Sequence, residues 1–161
     1  MFVRSLKLKN FRNYDLLDLE EIASVLDDLS VSQMNNGYPN EQFATLFYLN
    51  EKVPFAFNYV DGSLDVTHDN DKQGDHGSHV AGIATANKYV PTEDGYAAQE
   101  NGVVGIAPNA QVMVMKVFGQ NGGAYTDDYM TAIQDAILLG ADSINLSLGS
   151  GNPGESEEYS A

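Results

Sequence analysis

The chain has 161 residues, of which 43% are hydrophobic, and this is enough for one domain of average size with a core. Its net charge of −15 argues against nucleic acid as a partner of the main body, and the lack of cysteine excludes a disulfide framework. No apolar run approaches a membrane span, and the N-terminus shows no apolar region of a signal peptide.

The first 14 residues differ in charge from the rest of the chain. They hold half of the eight basic residues and none of the 23 acidic ones. Leu6 and Leu8 alternate with Lys7 and Lys9, which predicts a half-exposed strand, and a turn is expected at residues 10–13. This break in charge indicates a junction between unlike segments.

The first 14 residues, MFVRSLKLKNFRNY, resemble the first strand of the RecF-type DNA-repair ATPases. That resemblance implies a fragment of a nucleotide-linked repair protein. Such a protein needs a glycine-rich phosphate loop with Gly-Lys-Ser/Thr, and the sequence has none. The sequence therefore favours a basic strand joined by gene fusion, rearrangement or a misjoined reading frame. We expect one segment over residues 1–20, where the strand pattern resumes at Leu17 and Leu19, and a second over 21–161.

The next segments predict a helix, an aromatic strand and an acidic loop. Residues 21–26 are helix-like, and residues 51–62 are rich in aromatic and apolar side chains. Acidic residues then approach the histidines at Asp65, Asp69, Asp71 and Asp75. Oxygen ligands at short intervals are typical of calcium sites, so calcium is left open, but the spacing is not that of an EF-hand. A solvated acidic loop is the favoured interpretation.

The most informative block is residues 74–84, GDHGSHVAGIA. It predicts a helix that begins near His76, where an imidazole can take and return a proton near neutral pH. Small side chains should let this helix approach other backbone closely; they are Ala81, Gly82, Ala84 and Ala86. A partial metal site of His76 and His79 beside Asp75 is the alternative, but no third ligand is spaced to complete a zinc motif.

This block resembles the histidine motif of the subtilisin-like serine proteases, His-Gly-Thr-His-Val-Ala-Gly, with Ser78 in place of the threonine. In that family the first histidine, here His76, is the general base. Residues 102–108, GVVGIAP, resemble the family's Gly-Val-x-Gly-Val-Ala-Pro turn. Together with residues 21–26 and 51–62, they point to the lactocepin-like group of large secreted or cell-wall subtilases. The resemblance covers residues 21–161 and implies a protein or peptide substrate and no required cofactor. Since no signal peptide is visible, the localisation of this chain stays open.

The rest of the chain predicts a strand, a helix and a second strand. Residues 112–117 alternate as a buried strand, and Thr126 is expected to cap a helix that Gly140 ends. Residues 143–149 are expected to return as a buried strand. The predicted apolar face of the helix consists of Met130, Ile133, Ala136, Ile137 and Leu138. This order predicts a βαβ unit, and hence an α/β fold in three layers with a parallel sheet flanked by helices.

In an open parallel sheet, chemistry gathers at the carboxyl ends of the strands. Two segments of this chain should lie there, and the family resemblance gives each of them a role. One would pair with the substrate backbone as an extra strand, and it consists of Gly122, Gly123 and Ala124. The other would line the primary specificity pocket, and it consists of Ser147, Leu148 and Gly149. Without the resemblance, both would be read as ordinary turns.

Three catalytic blocks of the family are missing from this sequence. They are the Asp-Ser/Thr-Gly block that orients the histidine, the asparagine of the oxyanion hole and the Gly-Thr-Ser-Met-Ala block of the nucleophile. Ser147 is a poor substitute nucleophile, because Asn145 stands where a nucleophile elbow needs glycine. Asp61 and Asp65 are candidates to lie near His76. We therefore expect an endopeptidase fragment that is inactive alone. The alternatives are a non-catalytic peptide-binding remnant and a RecF-type repair fragment.

Overall fold

The computed structural model describes residues 16–67, 74–93, 95–119 and 123–149, together with the backbone of residues 2–7. Four α-helices and six strands are described. The helices are α1 (Leu19–Val25), α2 (Asn40–Ala44), α3 (His76–Thr85) and α4 (Thr126–Leu138). The strands are β1 (Phe2–Lys7), β2 (Ala56–Asn58), β3 (Tyr89–Thr92), β4 (Gly95–Ala98), β5 (Gln111–Lys116) and β6 (Ser143–Leu146). Two 3-10 helices, Leu26–Asp28 and Ser30–Met34, connect α1 to α2.

The main sheet has the order β2-β5-β1-β6, and its strands β2, β5 and β6 run parallel to one another. β2 pairs with β5 in parallel. β1 pairs antiparallel with both β5 and β6, so β5 and β6 run in the same direction on either side of it. The predicted succession of strand, helix and parallel strand is confirmed in β5, α4 and β6. The strand predicted in the basic segment is also confirmed, whereas its predicted turn at residues 10–13 lies outside the described residues.

The two faces of the sheet are covered by different helices. Phe57 pairs with Met115, and side chains on this face join the core below α1, α2 and α4. Val112 and Val114 belong to the opposite face, where they line a cavity of about 300 Å³ with residues of α3. The arrangement is therefore an α/β sandwich of helices, sheet and helix, a partial subtilisin-like fold, as expected. The largest fully buried side chains of the core include Ile22, Leu26, Leu29, Phe47, Phe55, Met115 and Val117.

A capping box starts α1. The Asp18 carboxylate accepts hydrogen bonds from the backbone N–H groups of Glu20 and Glu21, at 2.9 and 3.0 Å, and the Glu21 carboxylate accepts one from the Asp18 N–H at 3.1 Å. These bonds satisfy N–H groups that a helix start leaves unpaired. The helix predicted at residues 21–26 is confirmed. The strand predicted to resume at Leu17 and Leu19 is wrong, because Leu19 already belongs to α1.

α4 is rotated relative to the expected orientation. Met130 and Ile137, predicted to face the core, are 48% and 65% exposed, and Leu138 is also exposed. Of the predicted face, Ala136 is buried and Ile133 packs partly buried against the core, and the other buried residues of this helix region are Tyr129, Ala132, Asp135 and Leu139. On this inward face, the Asp135 carboxylate accepts hydrogen bonds from the Ser30 N–H and the Tyr59 hydroxyl, both at 2.9 Å.

The sequence predicted the residues that begin and end α4, and the structure agrees at the second end only. Thr126 is the first helical residue and does not cap the helix, since Tyr125 occupies the N-cap position and makes no side-chain capping bond. At the other end, Gly140 has φ +74°, a conformation that side chains disfavour, and it ends the helix as expected.

β6 is an edge strand. It spans Ser143–Leu146 rather than residues 143–149, and only β1 pairs with it in the described sheet. Leu146 is 44% exposed. The expectation of a second buried strand is therefore wrong, because no further strand among the described residues covers its outer side.

Candidate active site at the carboxyl edge of the sheet

His76 is the first residue of α3, as the sequence predicted. Asp75 occupies the N-cap position without a side-chain capping bond, and the His76 side chain is exposed. Gly77 behind it is buried. Among the described residues, no side chain forms a hydrogen bond with the imidazole. Its exposure leaves the imidazole accessible to a group brought up to it, as a general base requires.

The other end of α3 is held by the GVVGIAP segment. The N–H groups of Gly105, Ile106 and Ala107 donate to the carbonyls of Ala86, Ile83 and Ala84, at 2.8, 3.0 and 2.8 Å respectively. The last carbonyls of a helix have no partner within the helix, so three consecutive N–H groups from one loop satisfy them together. The two motifs that carry the family resemblance are thus joined by backbone hydrogen bonds.

Gly105 makes the closest backbone approach to α3. A Cβ atom at this position would lie 2.5 Å from the Thr85 nitrogen and 2.7 Å from the Ala84 carbonyl carbon. By contrast, a Cβ atom on Gly82 would meet nothing within 4 Å. The sequence placed the close approach at the small residues of α3. For Gly82 this is wrong, because the close contact is formed at the helix end by a glycine of the capping loop.

These contacts set the direction of α3. Its last turn is bonded to residues 105–107, just before β5 begins at Gln111. Ser78 and Thr85 both line the cavity over Val112 and Val114. α3 therefore lies against β5 with its last turn at the amino end of that strand, and its first turn is directed towards the carboxyl edge.

The segment expected to pair with substrate follows β5 at this edge. Gly122 lies outside the described residues. Gly123 is exposed, and its carbonyl accepts a hydrogen bond from the Gly119 N–H at 3.3 Å. Ala124 is partly buried and packs against the hydrophobic core. Gly123 therefore lies on the surface next to Ala124, which packs against the core.

The segment expected to line the specificity pocket follows β6. Leu148 is partly buried against the core, and Gly149 is exposed. The Ser147 hydroxyl accepts a hydrogen bond from the Asn145 side-chain amide at 2.9 Å. Within the described part of the chain, no hydrogen bond joins Ser147 to His76. Because β5 and β6 are parallel, Ala124 and Leu148 lie at the same edge of the sheet.

The two aspartates that were candidates to orient His76 bond to their own loop. The Asp61 carboxylate accepts from the Asn58 amide at 2.8 Å, and the Asp65 carboxylate accepts from the Thr67 N–H and hydroxyl at 3.0 and 2.6 Å. These bonds from Thr67, with a smaller effect of the Lys116 charge, lower the pKa of Asp65. Neither carboxylate forms a hydrogen bond with His76 in the described structure.

The sequence raised two possible metal sites, a calcium loop and a site of His76 and His79 beside Asp75. Asp69 and Asp71, which belong to the possible calcium loop, lie outside the described residues. Over the ranges that are described, no group of three or more histidine, aspartate or glutamate side chains is placed to hold a metal ion. The pairing of His76 and His79 with Asp75 therefore forms no such group.

Sequence reasoning missed two sets of polar contacts in this region, one from the half-buried Lys52 and one to the buried Asp135. The Lys52 ammonium donates to the carbonyls of Pro108, at 2.8 Å, and Ala110. Burial lowers the pKa of Lys52 to about 8. On the other face, the buried Asp135 carboxylate accepts from the Tyr59 hydroxyl at 2.9 Å. Lys52 and Asp135 each stand in sequence contexts typical of solvent-exposed charges, so no local signal marked either one.

Comparison with known proteins identifies the family. The family model described as the subtilase family matches residues 21–161. The chain belongs to the subtilase family. No solved structure is significantly similar to it. Among the residues that the structure describes, no helix is long and apolar enough to cross a membrane.

Three relatives illustrate the range of this similarity. The chain is 46% identical over 107 residues to the PII-type proteinase of Lactococcus lactis subsp. cremoris, and 43% identical over 109 residues to that of Lacticaseibacillus paracasei. It is 36% identical over 104 residues to the C5a peptidase of Streptococcus pyogenes. These matches cover 63–64% of this subtilase chain but only 5% of each proteinase and 8% of the peptidase.

Proposed function

We propose that this subtilase chain carries the general base and part of the substrate-binding wall of a serine endopeptidase. The observation that supports this most is the position of His76. It is exposed at the start of a helix whose far end is fixed by the GVVGIAP segment. The family match and the protease names of the relatives support the same reaction class.

In the proposed reaction, His76 takes the proton of a serine hydroxyl while the serine oxygen attacks the carbonyl carbon of a peptide bond. The imidazolium then returns the proton to the leaving amine, and water hydrolyses the acyl-enzyme in a second proton transfer. The substrate backbone pairs with Gly122, Gly123 and Ala124 as an added strand. The side chain before the cleaved bond lies against Ser147, Leu148 and Gly149.

The 161 residues contain no block that matches the family's nucleophile, oxyanion asparagine or orienting aspartate. A base without these groups has nothing to activate, so we propose that this chain alone does not hydrolyse peptides. Supplying the three blocks, in one polypeptide or by association, completes the site.

We also propose that residues 1–20 are a segment distinct from the protease part at 21–161. The charge break and the start of the family match at residue 21 support this division. The strand pairing of β1 with β5 and β6 is compatible with it, since pairing between strands does not depend on their origin. The sequence contains no phosphate loop that would support a nucleotide-binding role for this segment.

The test uses the chain fused to the missing aspartate, asparagine and serine blocks of a related proteinase. Peptide hydrolysis should appear in the fusion, and His76→Ala should lower kcat by on the order of 10⁴-fold or more. His79→Ala is the matched control, because the His79 side chain is exposed, and it should leave kcat near that of the fusion. A phosphonate probe for active serine proteases should label the fusion and leave the 161-residue chain unlabelled. Retained activity in His76→Ala with loss in His79→Ala would contradict the assignment of the base. A fusion that folds and binds extended peptides without cleaving them would favour the non-catalytic alternative.

A further inference from the structure

A groove lies at the opposite end of α3 from His76. It is a cavity of about 610 Å³ between the turn at residues 50–53 and the hairpin of β3 and β4. Its lining includes the rings of Tyr89 and Tyr96, and we refer to it as the tyrosine groove. The other lining side chains used below are Asn50, Glu51, Lys52 and Asn87. Because Asn87 follows the end of α3, a helix of ten residues spanning about 15 Å, the groove is separate from the candidate active site.

The walls of the tyrosine groove are held by hydrogen bonds. The Asn50 side-chain oxygen accepts from the N–H groups of Lys52 and Val53, both at 2.9 Å, and its amide donates to the Tyr96 hydroxyl at 3.3 Å. The Asn87 side-chain oxygen accepts from the Tyr89 N–H, also at 3.3 Å. The Asn50–Tyr96 bond joins the turn to the hairpin before any ligand is present, and the other bonds hold the turn and the start of the hairpin locally, which lowers the entropic cost of binding.

The two tyrosine rings are open to solvent on the same face of the hairpin. Tyr89 pairs with Ala98 and Tyr96 pairs with Pro91, so the two tyrosines are diagonal neighbours across the strands. Their side chains are 57% and 61% exposed. A two-stranded hairpin is stable only with further packing, and nothing in the described structure covers these rings. Exposed aromatic rings beside fixed polar groups are typical of binding surfaces.

Charge indicates what the groove binds. The faces of tyrosine rings attract cations, and the acidic residue Glu51 belongs to the same lining. The chain carries a net charge of −15, so a cationic partner is also drawn to it over longer distances. Lys52 is the one cation in the described lining, and its ammonium group is already bonded to the carbonyls of Pro108 and Ala110.

We propose that the tyrosine groove binds a lysine or arginine side chain of a basic polypeptide segment. The rings of Tyr89 and Tyr96 contact the cation, Glu51 pairs with it, and the amide of Asn87 bonds to the backbone of the segment. This binding requires no nucleophile and does not depend on the proposed peptidase reaction.

The experiment titrates the 161-residue chain with a blocked pentapeptide, Gly-Lys-Gly-Arg-Gly, and follows heat release and the tyrosine ring signals in NMR. Peptides with glutamine or glutamate in place of both basic residues are the matched ligands. The basic peptide should bind most tightly. Each of Tyr89→Leu and Tyr96→Leu should weaken binding about two- to five-fold, and the double variant about 4- to 25-fold, as expected for two exposed cation–π contacts.

Three further variants separate a loss of binding from a loss of folding. Tyr96→Phe keeps the ring but removes the hydroxyl to which Asn50 donates, so it should weaken binding less than Tyr96→Leu does. Glu51→Gln keeps the shape and should weaken binding. Tyr125→Leu removes a ring that is 68% exposed outside the groove, and it should have no effect. Equal binding of the glutamine peptide would overturn the proposal. The proposal would also be overturned if the tyrosine double variant bound the basic peptide as tightly as the wild type does. That result would indicate attraction to the acidic chain as a whole.

Discussion

Gly105 lies so close to Thr85 that a Cβ atom on the glycine would be 2.5 Å from the Thr85 nitrogen. The contact occurs where the N–H of Gly105 caps the end of α3 by donating to the Ala86 carbonyl. Only glycine allows the loop backbone to approach the helix end at this distance. The contact therefore connects the loop before β5 to the helix that starts at His76.

Gly105→Ala should lower the free energy of unfolding by about 1–3 kcal/mol, because the added methyl group overlaps backbone atoms that cannot move independently. Gly82→Ala is the matched control, since its Cβ meets nothing within 4 Å. It should raise the free energy of unfolding by about 0.5–1 kcal/mol through better helix propensity. Urea unfolding of both variants measures the difference. Equal stability of the two variants would show that the loop does not depend on this contact.

Local signals in the sequence predicted most helices and strands of this chain, including β5, the start of α3 and the end of α4 at Gly140. Some errors are local, such as the strand expected at Leu19 and the cap expected at Thr126, and α2 and the β3–β4 hairpin were not predicted. The remaining errors concern contacts between distant residues. Nothing in the pattern of residues 2–7 indicates that β1 lies between β5 and β6, since that pairing joins residues more than 100 positions apart. For the candidate site, the sequence predicted His76 at a helix start, but the hydrogen bonds from residues 105–107 depend on the tertiary fold.

The rotation of α4 has a direct test in alanine substitutions. Ile137→Ala should change the free energy of unfolding by no more than about 0.5 kcal/mol, because this side chain is 65% exposed. Leu139→Ala should lower it by about 2–5 kcal/mol, because Leu139 is 3% exposed and packs in the core. Thermal unfolding of the pair measures the effect. A larger loss for Ile137→Ala than for Leu139→Ala would favour the helix face that the sequence predicted.

The inward face of α4 includes Asp135, whose buried carboxylate accepts bonds from the Tyr59 hydroxyl and from the N–H and hydroxyl of Ser30. Tyr59→Phe removes one donor from a buried charge and should lower the free energy of unfolding by about 1–3 kcal/mol. Tyr125→Phe is the control, because Tyr125 is exposed and lies outside this network. Urea unfolding at pH 7 should separate the two variants.

The raised pKa of Tyr59 predicts that the folding stability changes at high pH. Burial, and next the charge of Asp135, raise the pKa of Tyr59 well above its ordinary value of 10.0. Above pH 10 the unfolded chain loses this proton while the folded chain keeps it, so folding stability falls as the pH rises. The difference in unfolding free energy between wild type and Tyr59→Phe should therefore shrink above pH 10. A difference that stays constant from pH 9 to pH 11 would exclude a raised pKa.

Lys52 should produce the opposite trend at lower pH. Burial lowers its pKa from 10.5 to about 8, so between these values the unfolded chain holds a proton that the folded chain has released. Stability from this group therefore rises from pH 8 towards pH 10.5, and below pH 8 the cost of burying the ammonium is fully present. Lys52→Met keeps the length of the side chain without the charge. Relative to this variant, the melting temperature of the wild type should increase between pH 8 and pH 10.

The control for Lys52 is Lys88→Met, because the Lys88 side chain is exposed. The bonds to the carbonyls of Pro108 and Ala110 are made by Lys52 and not by Lys88. Its melting temperature should follow that of the wild type across the same pH range. Direct NMR titration of the Lys52 side chain should give a midpoint near 8. If the midpoint lies above 10 and the Lys52→Met difference does not vary with pH, the ammonium is solvated. The bonds to Pro108 and Ala110 would then not hold the loop before β5, and α3 would depend on the contacts of residues 105–107 alone.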